Sequence, residues 1–410
     1  MIEKNNKSAY DFNMKKNNDA LTSVKVTFPD KNIQKIITSE MTLSTTNDIS
    51  YLRGVSFFTS GITIKKDKQY SLWMLSEHYQ RLMLSYTNMY ETNTYPFSES
   101  DFEKWIDLSI NANKNKPLYI IVVLHGGQAI PEFIDKESYC SGFTTDTIKE
   151  MNIIVHPYKN NFPQWSYSQG INVMTIPYQR PFADTKSTFY VGGIKARQTI
   201  NAINTQVLYQ IKKNNLKDKK SISNYMTVAL TQYNRLSSSE KKSYKKHWLS
   251  CENIELKNNK TTSRNKSALS RSTYQQLIHE PLYVHPDNHD LILEGPTFGL
   301  LGINERSQIV FPVLKLSKEA YKINNDGKIL ESITALGLLK VIQKYNIPYV
   351  IQSLSVKQLN TFQCLFVISA KRTIMNKNEL LLMPIKTINN TPLMCNYDNK
   401  TYIDLKKAMK

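Results

Sequence analysis

Cysteine is scarce in this chain. There are four, Cys140, Cys251, Cys364 and Cys395, widely spaced and without a C-x-x-C pair. That usage fits a reducing compartment and offers no zinc ligand set, so no metal is expected. Long apolar runs are missing as well. No stretch reaches the roughly 18 consecutive apolar residues of a membrane span. The opening M-I-E-K-N-N-K-S lacks the apolar centre of a secretory signal. The expectation is a cytoplasmic protein with no membrane partner. Acidic residues fall short of basic ones, 34 against 53, for a net charge of +19. The excess invites nucleic acid, but its placement argues otherwise. Residues 212–271 hold fifteen Lys and Arg against four Asp and Glu, in a stretch rich in Asn and Ser. Such a segment reads as a solvated insertion rather than a binding face. No RNP, zinc-finger or helix-turn-helix pattern accompanies it, so no nucleic-acid partner is expected.

What is present is globular. The chain has 410 residues, 40% of them hydrophobic and 10% aromatic, enough for two to three domains with buried cores. Residues 1–45 are polar and weakly patterned and read as an N-terminal extension, partly disordered. Strand-like runs follow at 50–64, 69–75, 118–127 and 151–158, with helical periodicity at 76–86 and 98–112. Candidate N-caps are Ser76 for the first helix and Ser98 or Ser100 for the second. The mixture predicts a small α/β or α+β domain over 46–160. A second, larger domain is expected over 166–410, interrupted by the basic low-complexity insertion at about 213–280. Its strands read at 170–178, 282–304, 309–316, 366–370 and 380–393. An amphipathic helix reads at 330–346 with Ser332 as N-cap, so the amides of Ile333 and Thr334 open an anion site.

The segment R-P-F-A-D-T-K-S-T-F-Y (180–190) carries the chemistry. Pro181 fixes its own φ and biases Arg180 towards an extended conformation. Lys186, followed by Ser-Thr and aromatics, can be held in place by packing. A carbonyl-reactive lysine needs such placement, because the amine and not the ammonium forms a Schiff base. On these residues alone Lys186 reads more readily as one more surface lysine, and Arg81 as a surface arginine on its helix.

Five segments in order resemble the fold-type-IV, class-IV aminotransferase family of pyridoxal-phosphate enzymes. These are H-Y-Q-R-L-M-L-S (78–85), P-F-A-D-T-K-S-T-F-Y (181–190), L-E-G-P-T-F-G-L (293–300), S-I-T (332–334) and V-I-S-A (367–370). The family includes branched-chain and D-amino-acid aminotransferases and aminodeoxychorismate lyase. The resemblance implies a small N-terminal α/β domain, a larger C-terminal pseudo-barrel domain and a homodimer. It implies pyridoxal 5'-phosphate as cofactor, Lys186 as the Schiff-base lysine and catalytic base, and Glu294 on the pyridine nitrogen. Tyr190 falls where the ring 3-oxygen would be bonded. Arg81, Ser332, Ile333, Thr334, Ser369 and Ala370 fall on phosphate-binding positions. Thr59 and His125 are the expected substrate-side contacts. Lys195, in G-G-I-K, competes with Lys186 but falls inside the helix expected to follow.

The chain departs from the family pattern at Phe189, where asparagine is usual, at Gly299, where asparagine is frequent, and at Ser332, where glycine is usual. The stretch 118–133 and E-G-P-T-F most resemble the branch of plant-type lyases and D-aminotransferases. The implied activity is therefore that of a 4-amino-4-deoxychorismate lyase, releasing 4-aminobenzoate and pyruvate for folate biosynthesis. The alternatives are a branched-chain or D-amino-acid aminotransferase, or a non-catalytic basic protein on the same fold.

Overall fold

The computed structural model describes residues 21–28, 30–40, 56–66, 69–90, 94–114, 116–125, 150–159, 162–216, 218–258, 271–312, 329–376 and 379–409. They group into two compact units, Met1–Trp73 with Pro96–Tyr158, and Met74–Tyr95 with Lys159–Lys410.

The first unit is a six-stranded antiparallel sheet. Its strands are β1 (Thr22–Thr27), β2 (Asn32–Ile37), β3 (Ser56–Lys66), β4 (Gln69–Leu72), β5 (Leu118–His125) and β6 (Glu150–Pro157), in the order β2-β1-β6-β5-β3-β4. Helix α1 (Leu75–Tyr90) follows β4 in sequence but belongs to the second unit. Helix α2 (Glu99–Ala112) packs on the first sheet through Phe102, Trp105, Ile106 and Ile110, which recur at helical spacing on its buried face. Ser98 caps it as expected, in a capping box with Asp101. Ser76 is no N-cap, because α1 already begins at Leu75.

The reading of 1–45 as an unstructured extension is corrected over 22–37. Val24 and Val26 are fully buried, and β1 pairs with β6. Val24 and Val26 alternate with the polar Ser23 and Lys25, too few apolar residues to stand out from the polar sequence around them. The Ser23 hydroxyl is satisfied within the fold, accepting from the Val155 amide at 3.1 Å and meeting the Thr38 hydroxyl at 2.8 Å.

The second unit is built on a ten-stranded sheet. Its strands are β7 (Ile171–Pro177), β8 (Glu280–Val284), β9 (Leu291–Ile292), β10 (Gly299–Asn304), β11 (Ile309–Phe311), β12 (Tyr349–Ile351), β13 (Leu354–Ser355) and β14 (Phe362–Ile368). The hairpin β15 (Ile374–Asn376) and β16 (Glu379–Leu381) stands apart, and β17 (Met383–Ile388) and β18 (Thr391–Pro392) complete the sheet. The order runs β12-β11-β10-β14-β17-β7-β8-β9-β13, with β18 on β17. Its two ends, β12 and β13, are separated in the chain only by Gln352 and Ser353. Consecutive strands at opposite ends of a sheet force it to curl until the ends meet, which makes the pseudo-barrel. One apolar core lies on Val173, Leu282, Leu300, Val367 and Ile385, and another on Leu301, Ile303, Phe311 and Phe366.

Five longer helices complete the unit with α1: α3 (Val191–Lys213), α4 (Lys219–Arg235), α5 (Ser238–Asn258), α6 (Ile333–Lys344) and α7 (Lys400–Ala408). The basic segment 213–280 reads as a solvated low-complexity insertion with helix-like patches such as Tyr225 to Leu236. Helix α4 covers that patch, and the solvated reading is corrected where α4 and the start of α5 are described. Ile222, Met226, Ala229, Leu230 and Tyr233 of α4 are buried against Ile200, Ile203, Val207 and Ile211 of α3. Their spacing gives α4 an apolar stripe, which the surrounding lysines and asparagines obscure in composition. Two cysteines distant in sequence meet here too, with the sulphurs of Cys364 and Cys395 2.7 Å apart.

Because α4 belongs to a core, Leu230→Ala should cost about 2–5 kcal/mol of stability, read as a lower urea midpoint at unchanged m-value. A Gly/Ser replacement of residues 219–258 should lower stability further by exposing the α3 stripe. An unchanged midpoint in both variants would restore the view that this segment is a mere insertion.

Candidate active site

The site is assembled where α1, the Lys186 segment, the turn after β9 and the start of α6 come together in the second unit. The Lys186 segment is not simply extended, as Pro181 suggested. Residues 181–184 form a turn closed by the Thr185 amide on the Phe182 carbonyl at 2.8 Å, with Phe182 at φ 51°. A bulky residue in the left-handed region costs roughly 1–2 kcal/mol, so the surrounding structure imposes this turn. Lys186 is half-buried, and its amine donates to the Tyr190 hydroxyl at 3.0 Å. Burial pushes that amine well below the ordinary lysine value. The Arg180 and Arg81 guanidinium groups push it the same way, and the Glu294 carboxylate opposes them. Lys195 is exposed on α3.

Glu294 follows β9 and is buried. Its Oε1 accepts from Arg180 Nε at 2.9 Å, from a terminal nitrogen of the same guanidinium, and from the Leu330 amide at 3.4 Å. The turn after it is tight, because the Gly295 amide bonds the Phe298 carbonyl at 3.0 Å. A Cβ on Gly295 would stand 2.1 Å from the Phe298 ring, so only glycine fits.

Arg81, buried on α1, donates to the Glu331 carbonyl at 3.2 Å, one residue before the α6 cap. Ser332 caps α6 as expected, its hydroxyl accepting from the Ala335 amide at 3.3 Å. Ile333 and Thr334 are buried in the first turn, whose amides point out of the helix start. Glu77 of α1 and Lys340 of α6 form an ion pair between these two helices. Ser369 and Ala370 follow β14, whose last residue Ile368 pairs with Gly299. Gly299 also packs on Ser332, so the strand end and the helix start are neighbours.

Thr59 and His125 lie in the first unit, both buried, on the paired strands β3 and β5. The ring Nε2 of His125 accepts from the Asn152 side-chain amide at 2.9 Å, which places the proton of its neutral form on Nδ1. Gly126 and Gly127 lie outside the described residues.

Several residues here went unassigned in the sequence. Arg180 opens the lysine segment, but its partner is 114 positions away and no local pattern pairs them. His78, one helical turn before Arg81, is held well below the ordinary histidine value by burial and then by Arg81. Arg372 is buried over the Phe298 and Phe162 rings. It donates to the Thr297 hydroxyl at 3.0 Å and to Glu280 at 2.6 Å. It thereby braces the turn after β14 against the turn after Glu294. Among the described residues no cluster of His, Cys, Asp and Glu has metal-ligand geometry, and no helix is long and apolar enough to cross a membrane.

No family model matches the sequence, and no curated protein does. Solved structures do. A hypothetical aminotransferase from Mycobacterium tuberculosis matches with TM-score 0.53 at 13% identity, over 94% of this chain and 98% of that one. That protein has also been solved in a PLP-bound form. The branched-chain amino acid aminotransferase of Escherichia coli matches with TM-score 0.54 at 12% identity, over 94% and 93%. The branched-chain aminotransferase of the archaeon Thermoproteus uzoniensis, solved with norvaline, matches with TM-score 0.53 at 13% identity, over 94% and 93%. The chain has the aminotransferase fold of these proteins. At such identities the likeness is one of fold, and the chemistry rests on the side chains.

Those side chains set opposite expectations for two substitutions. Arg180→Met removes a cation beside Lys186, so the pKa of its amine should rise. Glu294→Gln removes the opposing anion, so the pKa should fall further. The pH midpoint of Lys186 acylation, followed by peptide mapping in the apoprotein, reads both. Shifts of the same sign would show that the amine does not sense these charges.

Proposed function

We propose that this chain is a pyridoxal-phosphate enzyme acting as a 4-amino-4-deoxychorismate lyase. The observation that carries the cofactor is the desolvated Lys186 amine, standing among Arg180, Arg81 and Glu294 and bonded to Tyr190. An amine depressed by burial condenses with an aldehyde near neutral pH. A phosphate finds the Arg81 guanidinium, the first-turn amides of Ile333 and Thr334, and the hydroxyls of Ser332 and Ser369. The helix start typically favours an anion by roughly 0.3–1 kcal/mol. A protonated pyridine nitrogen finds Glu294. Arg180 and Leu330 both bond its Oε1, and Oε2 is the oxygen we assign to that nitrogen. The donor set therefore fits the group.

When bound, pyridoxal phosphate supplies a sink for the electron pair left as a proton departs the amine-bearing carbon. The chain's own residues do the rest. With the substrate amine held by the cofactor in its place, Lys186 would take that proton on Nζ. The Tyr190 hydroxyl holds Nζ beside it. Glu294 retains a proton at the ring nitrogen, and Arg81 with the start of α6 anchors the phosphate. In aminodeoxychorismate the adjacent carbon carries an enolpyruvyl ether. Loss of the proton and cleavage of that C–O bond would aromatise the ring, and Lys186 would retake its place on the cofactor as the 4-aminobenzoate amine leaves. The Lys186 ammonium returns its proton to the departing enolate, which becomes pyruvate. A lyase of this kind needs a site for a single amine substrate and no keto-acid acceptor.

The second reading is amino transfer from branched-chain or D-amino acids, favoured by the activities named for the structural matches. A homodimer is expected under either reading. A non-catalytic role on this fold is separated from both by cofactor attachment.

Borohydride reduction after incubation with pyridoxal phosphate should place the pyridoxyl group on the peptide containing Lys186. No attachment would leave the non-catalytic role, and attachment at Lys195 would move the site. The loaded protein should release 4-aminobenzoate and pyruvate in equal amounts from aminodeoxychorismate without a keto acid. Rapid transfer from leucine, valine or D-alanine to 2-oxoglutarate, with no 4-aminobenzoate formed, would replace the lyase by the aminotransferase.

A further inference from the structure

Helix α1 carries three polar side chains at i, i+4 and i+7, which share one helix face. Arg81 reaches the Glu331 carbonyl before α6. Asn88 donates its side-chain amide to Asp184 at 2.9 Å. Between them Ser85, fully buried, accepts from the Lys186 backbone N–H at 2.9 Å and donates to the Arg81 carbonyl at 2.8 Å. One helix thus holds the approach to the expected phosphate site, and also the Asp184 side chain and the Lys186 backbone on either side of Thr185.

A buried serine inside a helix calls for a reason. Alanine is the better helix former, and a hydroxyl bonded back to the i−4 carbonyl slightly weakens a helix. On helix formation alone Ser85 is unfavourable. What it gains is the acceptor for the Lys186 amide. The need for one is local, because residues 179–186 lie outside the strands. The turn there already places Phe182 at φ 51°. A segment in such a conformation relaxes unless neighbours fix it. Relaxation would move the Lys186 amine relative to Tyr190 and the two guanidinium groups.

We infer that Ser85 is a positioning residue for Lys186, assisted by Asn88, and that α1 thereby sets the reactive amine and the phosphate arginine in one register. Ser85 acts through the lysine backbone and touches no reacting atom. The inference rests on the proposed role of Lys186 but concerns the apoprotein first, so the two can fail separately.

The test uses the full chain with Ser85→Ala, Ser85→Thr and Asn88→Ala. Amide hydrogen exchange is followed in the apoprotein, with the pH midpoint of Lys186 acylation and a titration with pyridoxal phosphate. Ser85→Ala should speed exchange in the peptide covering 182–190 while leaving α6 unchanged. It should move the acylation midpoint towards that of ordinary lysines and weaken cofactor binding on the order of tenfold, as expected for one lost buried acceptor. Ser85→Thr keeps the hydroxyl and should restore all three. Asn88 is exposed, so Asn88→Ala should fold normally and give a smaller change of the same sign, which keeps the inference testable if Ser85→Ala is insoluble. Uniformly faster exchange with an unmoved acylation midpoint would reduce Ser85 to a packing residue and overturn the inference. An unchanged midpoint in Asn88→Ala together with no rescue by threonine would overturn it too. The expected local changes in a protein that binds no pyridoxal phosphate would uphold the positioning role and sink the cofactor reading.

Discussion

An amine taken out of water beside two guanidinium groups is the constraint around which the second unit is arranged. The neighbours of Lys186 come from three parts of the chain, with Arg180 and Tyr190 at the two ends of its own segment. Arg81 is on α1, Arg180 precedes the turn, Glu294 follows β9 and Tyr190 starts α3. Burial and like charge both disfavour the ammonium form, so this is a costly place for a lysine unless its free amine is used. The carboxylate that opposes those charges is shared with Arg180, a few residues before the lysine. The curled sheet brings these groups together. It places the residue after β9, the residues after β14 and the start of α6 at neighbouring edges.

The local parts of this arrangement were legible in the sequence. Ser332 and Ser98 cap the helices assigned to them, because a cap depends on residues within one turn. Lys195 was set aside because it fell inside the helix after Tyr190, and it does. What stayed hidden was long-range or disguised by composition. The Arg180–Glu294 pair has no local signature. Ser85 looks like any polar residue on a helix until the Lys186 amide is seen opposite it. Strand β1 offers only Val24 and Val26 as apolar residues, and its partner β6 lies far along the chain.

Helices α4 and α5 show how charge can mislead. The segment carries much of the chain's basic excess, and composition of that kind normally signals a chain that cannot bury enough apolar surface to fold. Burial depends on the placement of apolar residues and not only on their number. In α4 they fall on one stripe, which α3 covers, while its basic residues, Lys219, Lys220 and Arg235, stand at its two ends. The net charge of the segment therefore says little about its order.

The departures at the phosphate turn are best understood as a pair. Taken singly, Ser332 in place of the usual glycine adds a side chain where a cofactor phosphate is expected, and Gly299 removes one where asparagine is frequent. The fold puts the two in contact. A Cβ on Gly299 would lie 3.4 Å from the Ser332 Cβ and 3.6 Å from its hydroxyl oxygen. A Cβ alone is tolerable at that distance, but the further atoms of an asparagine would compete with Ser332 for the same space. The side chain lost from β10 thus leaves room for the one gained at the start of α6. That side chain is a hydroxyl already engaged as the helix cap. The helix start keeps its outward amides, and the closely packed corner between β10, β14 and α6 keeps its volume. Far apart along the chain, Gly299 and Ser332 are complementary in space, where the missing side chain of one leaves room for the hydroxyl of the other.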